Sequence, residues 1–195
     1  MGIVKNSVFA LSLTAVMIAS VIPSKAKASL LIEPHIGYIL AGNADYNGAD
    51  VSYNGPEYGA RLGGQWLGFM AGLDYAHSTF TAKLTSTLVN GEIDKKRDNI
   101  GVFAGYNLPI LLRGWVTYYF SSKTSNTQTN SLGTSGQFTK GSGTELGLGF
   151  TGLPFLSINL VYRMSTQDEN QSGALTPEME TKEIMIGVSA PFTLL

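Results

Sequence analysis

Apolar and polar side chains alternate with a period of two along most of the chain after residue 30. The first stretch, residues 31–40, sets Ile36, Tyr38 and Leu40 on one face and Glu33 and His35 on the other. Such alternation is typical of a β-strand whose two faces meet different surroundings. Seven further stretches repeat the pattern, at 57–67, 69–76, 99–108, 112–121, 145–150, 157–164 and 183–190. Eight alternating stretches in succession predict an eight-stranded sheet.

The connections between these stretches alternate in length and chemistry. Short ones fall at Leu67-Gly68, around Pro109 and around Pro154, where proline, which has no backbone N–H to donate, ends strand pairing. Long polar connections are expected at about 41–56, 79–97, 122–141 and 165–181. Short turns at one end and long loops at the other are the layout of bacterial outer-membrane barrels. The pattern predicts one all-β domain, a single closed antiparallel eight-stranded up-and-down transmembrane β-barrel.

The N-terminus has the features of a secretory signal peptide. Lys5 precedes an apolar stretch, residues 8–22, and Ala26 and Ala28 supply the small residues that signal peptidase recognises. We predict cleavage after Ala28, so that residues 1–28 are removed and residues 29–195 form the barrel. A retained helical anchor is the alternative, but the apolar stretch is shorter than the about 20 residues that a membrane-spanning helix needs.

Composition restricts the class of protein. Charged residues make up 14% of the chain and 23 residues are glycine, whereas ordinary soluble domains carry about 25% charged residues. A lipid-facing surface explains this low charge. The chain has no cysteine and therefore no disulfide or thiolate metal site. The net charge of −1 gives no electrostatic basis for binding nucleic acid, and no motif for a metal or cofactor is present.

The alternating strands could turn their apolar face either way. A soluble carrier of the lipocalin type would turn it inward around a ligand, whereas a membrane barrel would turn it outward. Aromatic residues near the short turns favour the membrane barrel, because such residues form girdles at membrane–water interfaces. The predicted girdle comprises Trp66, Phe69, Tyr106, Trp115, Phe150, Phe155 and Phe192. Strand parity turns Trp115 inward, so this residue carries less weight.

Charged residues recur on the opposite, predicted inner face. They are Glu33, His35, Arg61, Asp74, Arg113, Glu145, Arg163 and Glu183. Buried charges are costly unless they are paired, and the guanidinium group of arginine is the usual partner of a carboxylate. We therefore predict an Arg–carboxylate network in the lumen. Because eight strands leave an interior that side chains can fill, the network is expected to plug the barrel, and a gated pore is the alternative.

Two further groups could carry chemistry. His77-x-Thr79 departs from the His-x-Ser pattern of some outer-membrane lipid A deacylases, because threonine stands in the place of serine. The sequence shows no acid that would position the histidine, as a base that activates a hydroxyl nucleophile requires, so we expect no enzymatic activity. Lys95, Lys96 and Arg97 form a basic cluster that could contact lipopolysaccharide head groups. Solvation is the simpler expectation for all three.

Over nearly all of residues 29–195, the predicted strands and connections resemble the small outer-membrane barrels of the OmpA/OmpX type. The resemblance implies a place in the bacterial outer membrane, insertion by the outer-membrane assembly machinery, and contact with outer-membrane lipid and lipopolysaccharide. The family usually ends on an aromatic residue, whereas this chain ends Phe192-Thr193-Leu194-Leu195. Phe192 could serve in place of a terminal aromatic.

The main functional hypothesis is a non-enzymatic surface protein. In this hypothesis a plugged barrel displays polar loops for envelope structure, adhesion or binding of a surface ligand, because loops carry variable chemistry on a stable scaffold. The alternatives are a narrow channel for small solutes, a lipid A-modifying enzyme and a periplasmic carrier.

Overall fold

A computed structural model describes residues 28–46, 49–85, 90–127, 138–169 and 179–194. Except for Ala28, the predicted signal peptide lies outside these ranges. No helix in the described ranges is long and apolar enough to cross a membrane. The described strands are β1 (Ser29–Tyr46), β2 (Ala49–Trp66), β3 (Phe69–Thr85), β4 (Asn90–Leu108), β5 (Leu112–Asn126), β6 (Phe138–Leu153), β7 (Leu156–Glu169), β8 (Met179–Ser189) and β9 (Phe192–Leu194).

These strands form one closed antiparallel barrel. Each strand from β1 to β8 pairs with the next one along the chain, and β8 pairs with β1 to close the sheet. The short β9 continues β8 beyond Pro191 and also pairs with β1, where Phe192 lies opposite Ile32. Proline cannot donate to the ladder, which explains the break between β8 and β9. The predicted eight-stranded, up-and-down barrel is therefore confirmed.

The three short connections lie at one end of the barrel, as predicted. β2 and β3 are joined by Leu67-Gly68, β4 and β5 by residues 109–111, and β6 and β7 by residues 154–155. Gly68 has a φ of 84°, a left-handed conformation that glycine adopts without steric cost. Short turns of outer-membrane barrels face the periplasm. We therefore call this end of the barrel the periplasmic end, and the opposite end the extracellular end.

The prediction of long extracellular loops is wrong over much of their length. β1 and β2 extend to Tyr46 and Ala49, and β3 and β4 extend to Thr85 and Asn90, through segments for which the sequence predicts loops. β5–β8 also extend into the segments 122–141 and 165–181. Beyond the lipid the outer face of a strand meets water while the inner face stays buried, as at Tyr53, Phe80 and Arg97. The outer positions no longer need apolar side chains, so the apolar–polar alternation fades. The backbone ladder nevertheless continues, because pairing does not depend on that alternation.

Large apolar side chains cover the outer face of the barrel as a continuous belt. Its members include Ile36, Leu62, Leu73, Val102, Val116, Leu148, Leu160 and Ile186, all exposed. Soluble proteins rarely expose such a surface, and a closed ladder satisfies the backbone within hydrocarbon. Towards the extracellular end, the belt stops at Tyr58, Tyr75, Ile100 and Phe120. The apolar face is therefore the outer face, and the soluble-carrier interpretation is wrong.

Candidate functional site

Strand register places charges of opposite sign beside one another on the inner face. Arg61 of β2 lies opposite both Glu33 of β1 and Asp74 of β3. Arg163 of β7 likewise lies opposite both Glu145 of β6 and Glu183 of β8. Directly opposed side chains of opposite charge stabilise a sheet. The lumen is thus built around two arginines, each between carboxylates from both neighbouring strands.

The periplasmic part of the network joins two arginines through one carboxylate. Arg113 Nη1 donates to Glu33 Oε2 at 2.8 Å, and Arg113 Nη2 contacts Glu33 Oε1. Arg61 Nη1 reaches the same Oε1 atom at 3.3 Å. Glu33 is fully buried, so its charge is compensated by these guanidinium groups rather than by water.

The centre of the lumen is organised by Glu145. Its Oε1 accepts hydrogen bonds from Arg61 Nη2 at 3.2 Å and from the Trp115 indole Nε1 at 3.1 Å. Its Oε2 accepts from Arg163 Nη2 at 2.7 Å and from the Tyr119 hydroxyl at 2.9 Å. A carboxylate has about four lone-pair sites, and these contacts use both of its oxygens. Glu145 therefore connects the periplasmic and extracellular halves of the network.

The extracellular part joins Arg163 to two more carboxylates. Arg163 donates two hydrogen bonds to Glu57, from Nη1 to Oε2 at 2.6 Å and from Nη2 to Oε1 at 2.8 Å. The Ser78 hydroxyl donates a third hydrogen bond to Glu57 Oε2 at 2.6 Å. Arg163 Nη1 also lies 3.3 Å from Glu183 Oε2, and Arg97 Nη1 lies 2.5 Å from Glu183 Oε1. Paired, two-point contacts of this kind are the strong form of the Arg–carboxylate interaction.

The structure brings together seven of the eight predicted lumen residues. His35 is the exception: its ring lies beside the network, and its buried Nδ1 has no hydrogen-bond partner among the described residues. Glu57 was not predicted, although it shares the inward parity of Gly59 and Arg61. Glu57 begins the alternating stretch 57–67, so assigning the inner face of that stretch from its first residue would have identified it.

Arg97 corrects a second prediction. The sequence predicts that it is solvated with Lys95 and Lys96, but only 1% of its surface is exposed. It shares the inward parity of Asn99 and Gly101, and it contacts Glu183 inside the barrel. Lys96 is exposed. The three basic residues therefore do not act as one cluster, because alternate residues of a strand face opposite sides.

Buried apolar side chains pack around the charges in the lumen. Leu31 and Met70 are buried towards the periplasmic end, and Phe103 lies beside Arg61, whose guanidinium carbon is 5.9 Å from its ring centroid. Tyr53 and Phe80 are buried towards the extracellular end, with ring centroids 4.7 Å apart. The cavity beside His35 and the cavity beside Tyr53 each hold about 30 Å³. That is room for a water molecule or two and not for a hydrated ion.

The predicted aromatic girdle is wrong at Trp115. Its indole is buried in the lumen, where the guanidinium carbons of Arg61 and Arg113 lie 4.3 and 4.9 Å from a ring centroid. Strand parity and these two cation–π contacts hold it there. The other members, Trp66, Phe69, Tyr106, Phe150, Phe155 and Phe192, lie on the outer face or in the short turns, five of them exposed and Tyr106 half-buried. Their role as a girdle stays a prediction.

His77 has an acidic partner that sequence inspection missed. Its Nδ1 lies 2.8 Å from Asp98 Oδ1, which also accepts a hydrogen bond from the Tyr75 hydroxyl at 2.8 Å. Asp98 lies just beyond the apolar belt. Partial burial raises the pKa of Asp98, but the hydrogen bonds from His77 and Tyr75 outweigh burial and lower this pKa below its usual value. Cross-strand pairing of β3 with β4 brings the residues together. No hydrogen bond joins His77 to Thr79 in the described chain.

No protein family and no curated relative matches the chain by sequence. The crystal structure of Neisserial surface protein A (NspA) is similar, with a TM-score of 0.55 and 14% identity, and the match covers 85% of this chain and 99% of that one. The chain has the fold of a small outer-membrane β-barrel. Its apolar belt and closed ladder place it across a bacterial outer membrane.

Two other outer-membrane proteins match more distantly. Ail, the attachment invasion locus protein of Yersinia pestis, was crystallised with the heparin analogue sucrose octasulfate; it has a TM-score of 0.49 and 13% identity, over 86% of this chain and 99% of that one. OprG of Pseudomonas aeruginosa has a TM-score of 0.43 and 13% identity, over 88% of this chain and 99% of that one.

Among the described residues no group of His, Asp and Glu side chains could hold a metal ion.

Proposed function

We propose that this protein is a non-conducting, non-enzymatic scaffold that presents its polar extracellular strand ends for envelope structure, adhesion or partner binding. The observation that carries the proposal is the filled lumen. A chain of alternating charges crosses the barrel interior in the order Arg113, Glu33, Arg61, Glu145, Arg163, Glu183 and Arg97. Buried apolar side chains, among them Leu31, Met70, Tyr53 and Phe80, pack around it.

The energetics of the network favour a permanent plug over a gate. Separating one partner from a buried ion pair costs about 3–5 kcal/mol. Opening a pore would require Arg61, Glu145 and Arg163 to separate together, because each contacts at least one of the others. Such a cost is large beside the few kcal/mol that separate the states of a typical conformational switch. The narrow channel is therefore the less favoured function.

Conductance tests the plug directly. We expect the protein, reconstituted in a planar lipid bilayer, to show no steady unitary current. Arg61→Ala and Glu145→Ala shorten side chains in the plug and are expected to admit small currents at most, whereas Lys123→Ala, at an exposed position, should behave as the parent protein. Steady currents of the parent protein that either lumen substitution abolishes would overturn the plug.

The outer surface supports a function without catalysis. His77 is positioned by Asp98, but no hydrogen bond joins it to the Thr79 hydroxyl in the described chain. A base must lie within about 3.2 Å of the hydroxyl that it activates. The polar surface beyond the belt carries instead paired side chains, such as Thr81 with Asp94 at 2.8 Å and Lys83 with Glu92 at 3.2 Å. An ordered polar surface suits recognition.

The absence of lipid A modification is a second prediction. Expression in a bacterial host should leave the mass spectrum of lipid A unchanged, both for the parent protein and for His77→Ala. The expectation follows from the lack of a hydroxyl bonded to His77. A mass change equal to one acyl chain, present with the parent protein and with Lys123→Ala but lost in His77→Ala, would establish the enzyme instead.

A further inference from the structure

An open apolar groove lies on the lipid-facing wall of the barrel across β5–β8. It has a volume of about 520 Å³ and is lined by Gly114, Leu146, Leu148, Leu160, Tyr162 and Ile184. Strand register sets its two rows, with Leu148 opposite Leu160 and, one step towards the extracellular end, Leu146 opposite Tyr162. The groove is thus a depression within the belt, where lipid tails surround the protein.

The floor of the groove is a glycine that the fold does not require. A Cβ atom at Gly114 would meet only Leu148 Cδ2 at 3.7 Å and the Gly147 carbonyl oxygen at 3.8 Å, which are ordinary contacts. Most other barrel glycines face backbone or rings too closely for a side chain; at Gly72, for example, a Cβ would lie 2.5 Å from Gly63 Cα. Packing within the barrel therefore does not explain why this outward position lacks a side chain.

A second, polar cavity lies directly beyond the groove towards the extracellular end. It holds about 310 Å³ and is lined by Tyr118, Ser142, Thr144, Met164, Thr166, Glu180 and Lys182, among others. Register places Thr144, Met164 and Lys182 in one row across β6–β8, immediately beyond the row that contains Tyr162 and Ile184. The apolar groove and the polar cavity therefore adjoin, and we call the two together the depression, whose character changes at the edge of the belt.

We propose that this depression binds one molecule of lipid A from the outer leaflet, with an acyl chain in the groove over Gly114 and a phosphate beside Lys182. Lys182 is exposed and forms no ion pair with another described residue. The hydroxyls of Ser142 and Thr144 supply further donors. Glu180 lies one row further towards the extracellular end than Lys182. Because its carboxylate repels a phosphate, the phosphate is placed in the row of Lys182. A second copy of the barrel would match the apolar groove but not the polar cavity.

The test is native mass spectrometry of the full barrel in detergent, titrated with lipid A and with lipid A stripped of its phosphates. Gly114→Leu fills the groove, and excluding about two methylene groups should weaken binding of both lipids at least about tenfold. Lys182→Gln should weaken binding of phosphorylated lipid A about fivefold and leave the dephosphorylated lipid unchanged. Because the Lys182 side chain is exposed, Lys182→Gln is expected to fold as the parent protein does.

Matched controls lie on the other wall of the barrel. Gly64→Leu adds the same side chain at an outward glycine of β2, where a Cβ meets only the Ser29 carbonyl oxygen at 4.0 Å, and Lys83→Gln removes another exposed lysine. Both should bind lipid A as the parent protein does. Equal binding by Gly114→Leu and Gly64→Leu, or equal loss of both lipids in Lys182→Gln, would overturn the site. If the parent protein instead forms dimers, does not bind lipid A, and loses its dimers in Gly114→Leu, the occupant of the groove is a second copy of the barrel and the lipid proposal is overturned.

Discussion

Arg163 contacts carboxylates from three different strands. Glu57 belongs to β2, Glu145 to β6 and Glu183 to β8, and all three lie within 3.3 Å of its guanidinium nitrogens. The planar group offers five donors in a fixed arrangement, and a lysine could not make these contacts simultaneously. One residue therefore ties together strands that are not neighbours in the sheet.

Replacing Arg163 should destabilise the barrel more than any surface substitution. Arg163→Met leaves three buried carboxylates without their shared partner, so we expect the free energy of unfolding to fall by about 3–5 kcal/mol. Urea unfolding followed by tryptophan fluorescence measures it. Adding Glu145→Gln should recover part of the loss, because one uncompensated charge is removed. A loss no larger than that of Lys123→Met, at an exposed position, would contradict the importance of the network.

At the scale of the strand, the barrel wall extends beyond the lipid as a polar sheet. The upper parts of β2 and β3 remain paired up to Val51 opposite Leu84. Gly55 allows these strands to pack closely, because a Cβ there would lie 2.7 Å from Phe80 Cα. Extracellular recognition would therefore use the paired strand ends that the structure describes.

Gly55→Val should loosen this extracellular part selectively. The added side chain has no space against β3, and overpacking costs about 1–3 kcal/mol. Hydrogen–deuterium exchange should become faster for amides near Tyr53 and Thr81 and remain unchanged near the periplasmic turns. Gly64→Val, in the same strand but facing open space, is the control. If exchange near Tyr53 and Thr81 were no faster in Gly55→Val than in Gly64→Val, the close packing at Gly55 would not be what orders the extracellular ends of β2 and β3.

At the scale of the whole molecule, the barrel inverts the arrangement of a soluble protein. Its largest fully buried side chains are Arg97, Arg113 and Arg163, whereas residues such as Leu148 and Phe155 are 65% and 80% exposed. A closed ladder with an apolar exterior is stable only where lipid or detergent replaces water. Lipid therefore covers the apolar outer face, and the charges that would otherwise need water are paired with one another inside the barrel.

This inversion predicts how the purified protein behaves. The protein should need detergent to stay in solution, and its folded form should migrate faster than its heated form on a gel, because the closed barrel is more compact than the unfolded chain. Migration before and after heating measures this. The buried lumen arginines predict that Arg163→Met loses the fast band at a lower temperature than Lys123→Met does. A protein that stays soluble without detergent would contradict the outward-facing belt.

The sequence by itself determined the number of strands, the short turns and the two faces of the sheet. Each of these depends on local geometry: a period of two places Leu62 outward and Arg61 inward whatever the partner strand is. The same period identified most of the lumen charges. It failed at Arg97 because this residue lies in the segment 79–97, where the apolar alternation has faded while the strand continues. Glu57 was missed for another reason, because it begins the alternating stretch 57–67 and was not counted with the inner-face charges.

Only the tertiary structure decided which charges meet. Glu57 and Arg163 are 106 residues apart, and Glu33 and Arg113 are 80 apart, so their contacts depend on register and closure of the barrel. The pairing of His77 with Asp98 also follows from cross-strand register, as does the position of the groove over Gly114 next to the cavity at Lys182. The period of two along each strand determines which face a side chain lies on, whereas strand register and closure of the barrel determine which side chains it contacts on that face.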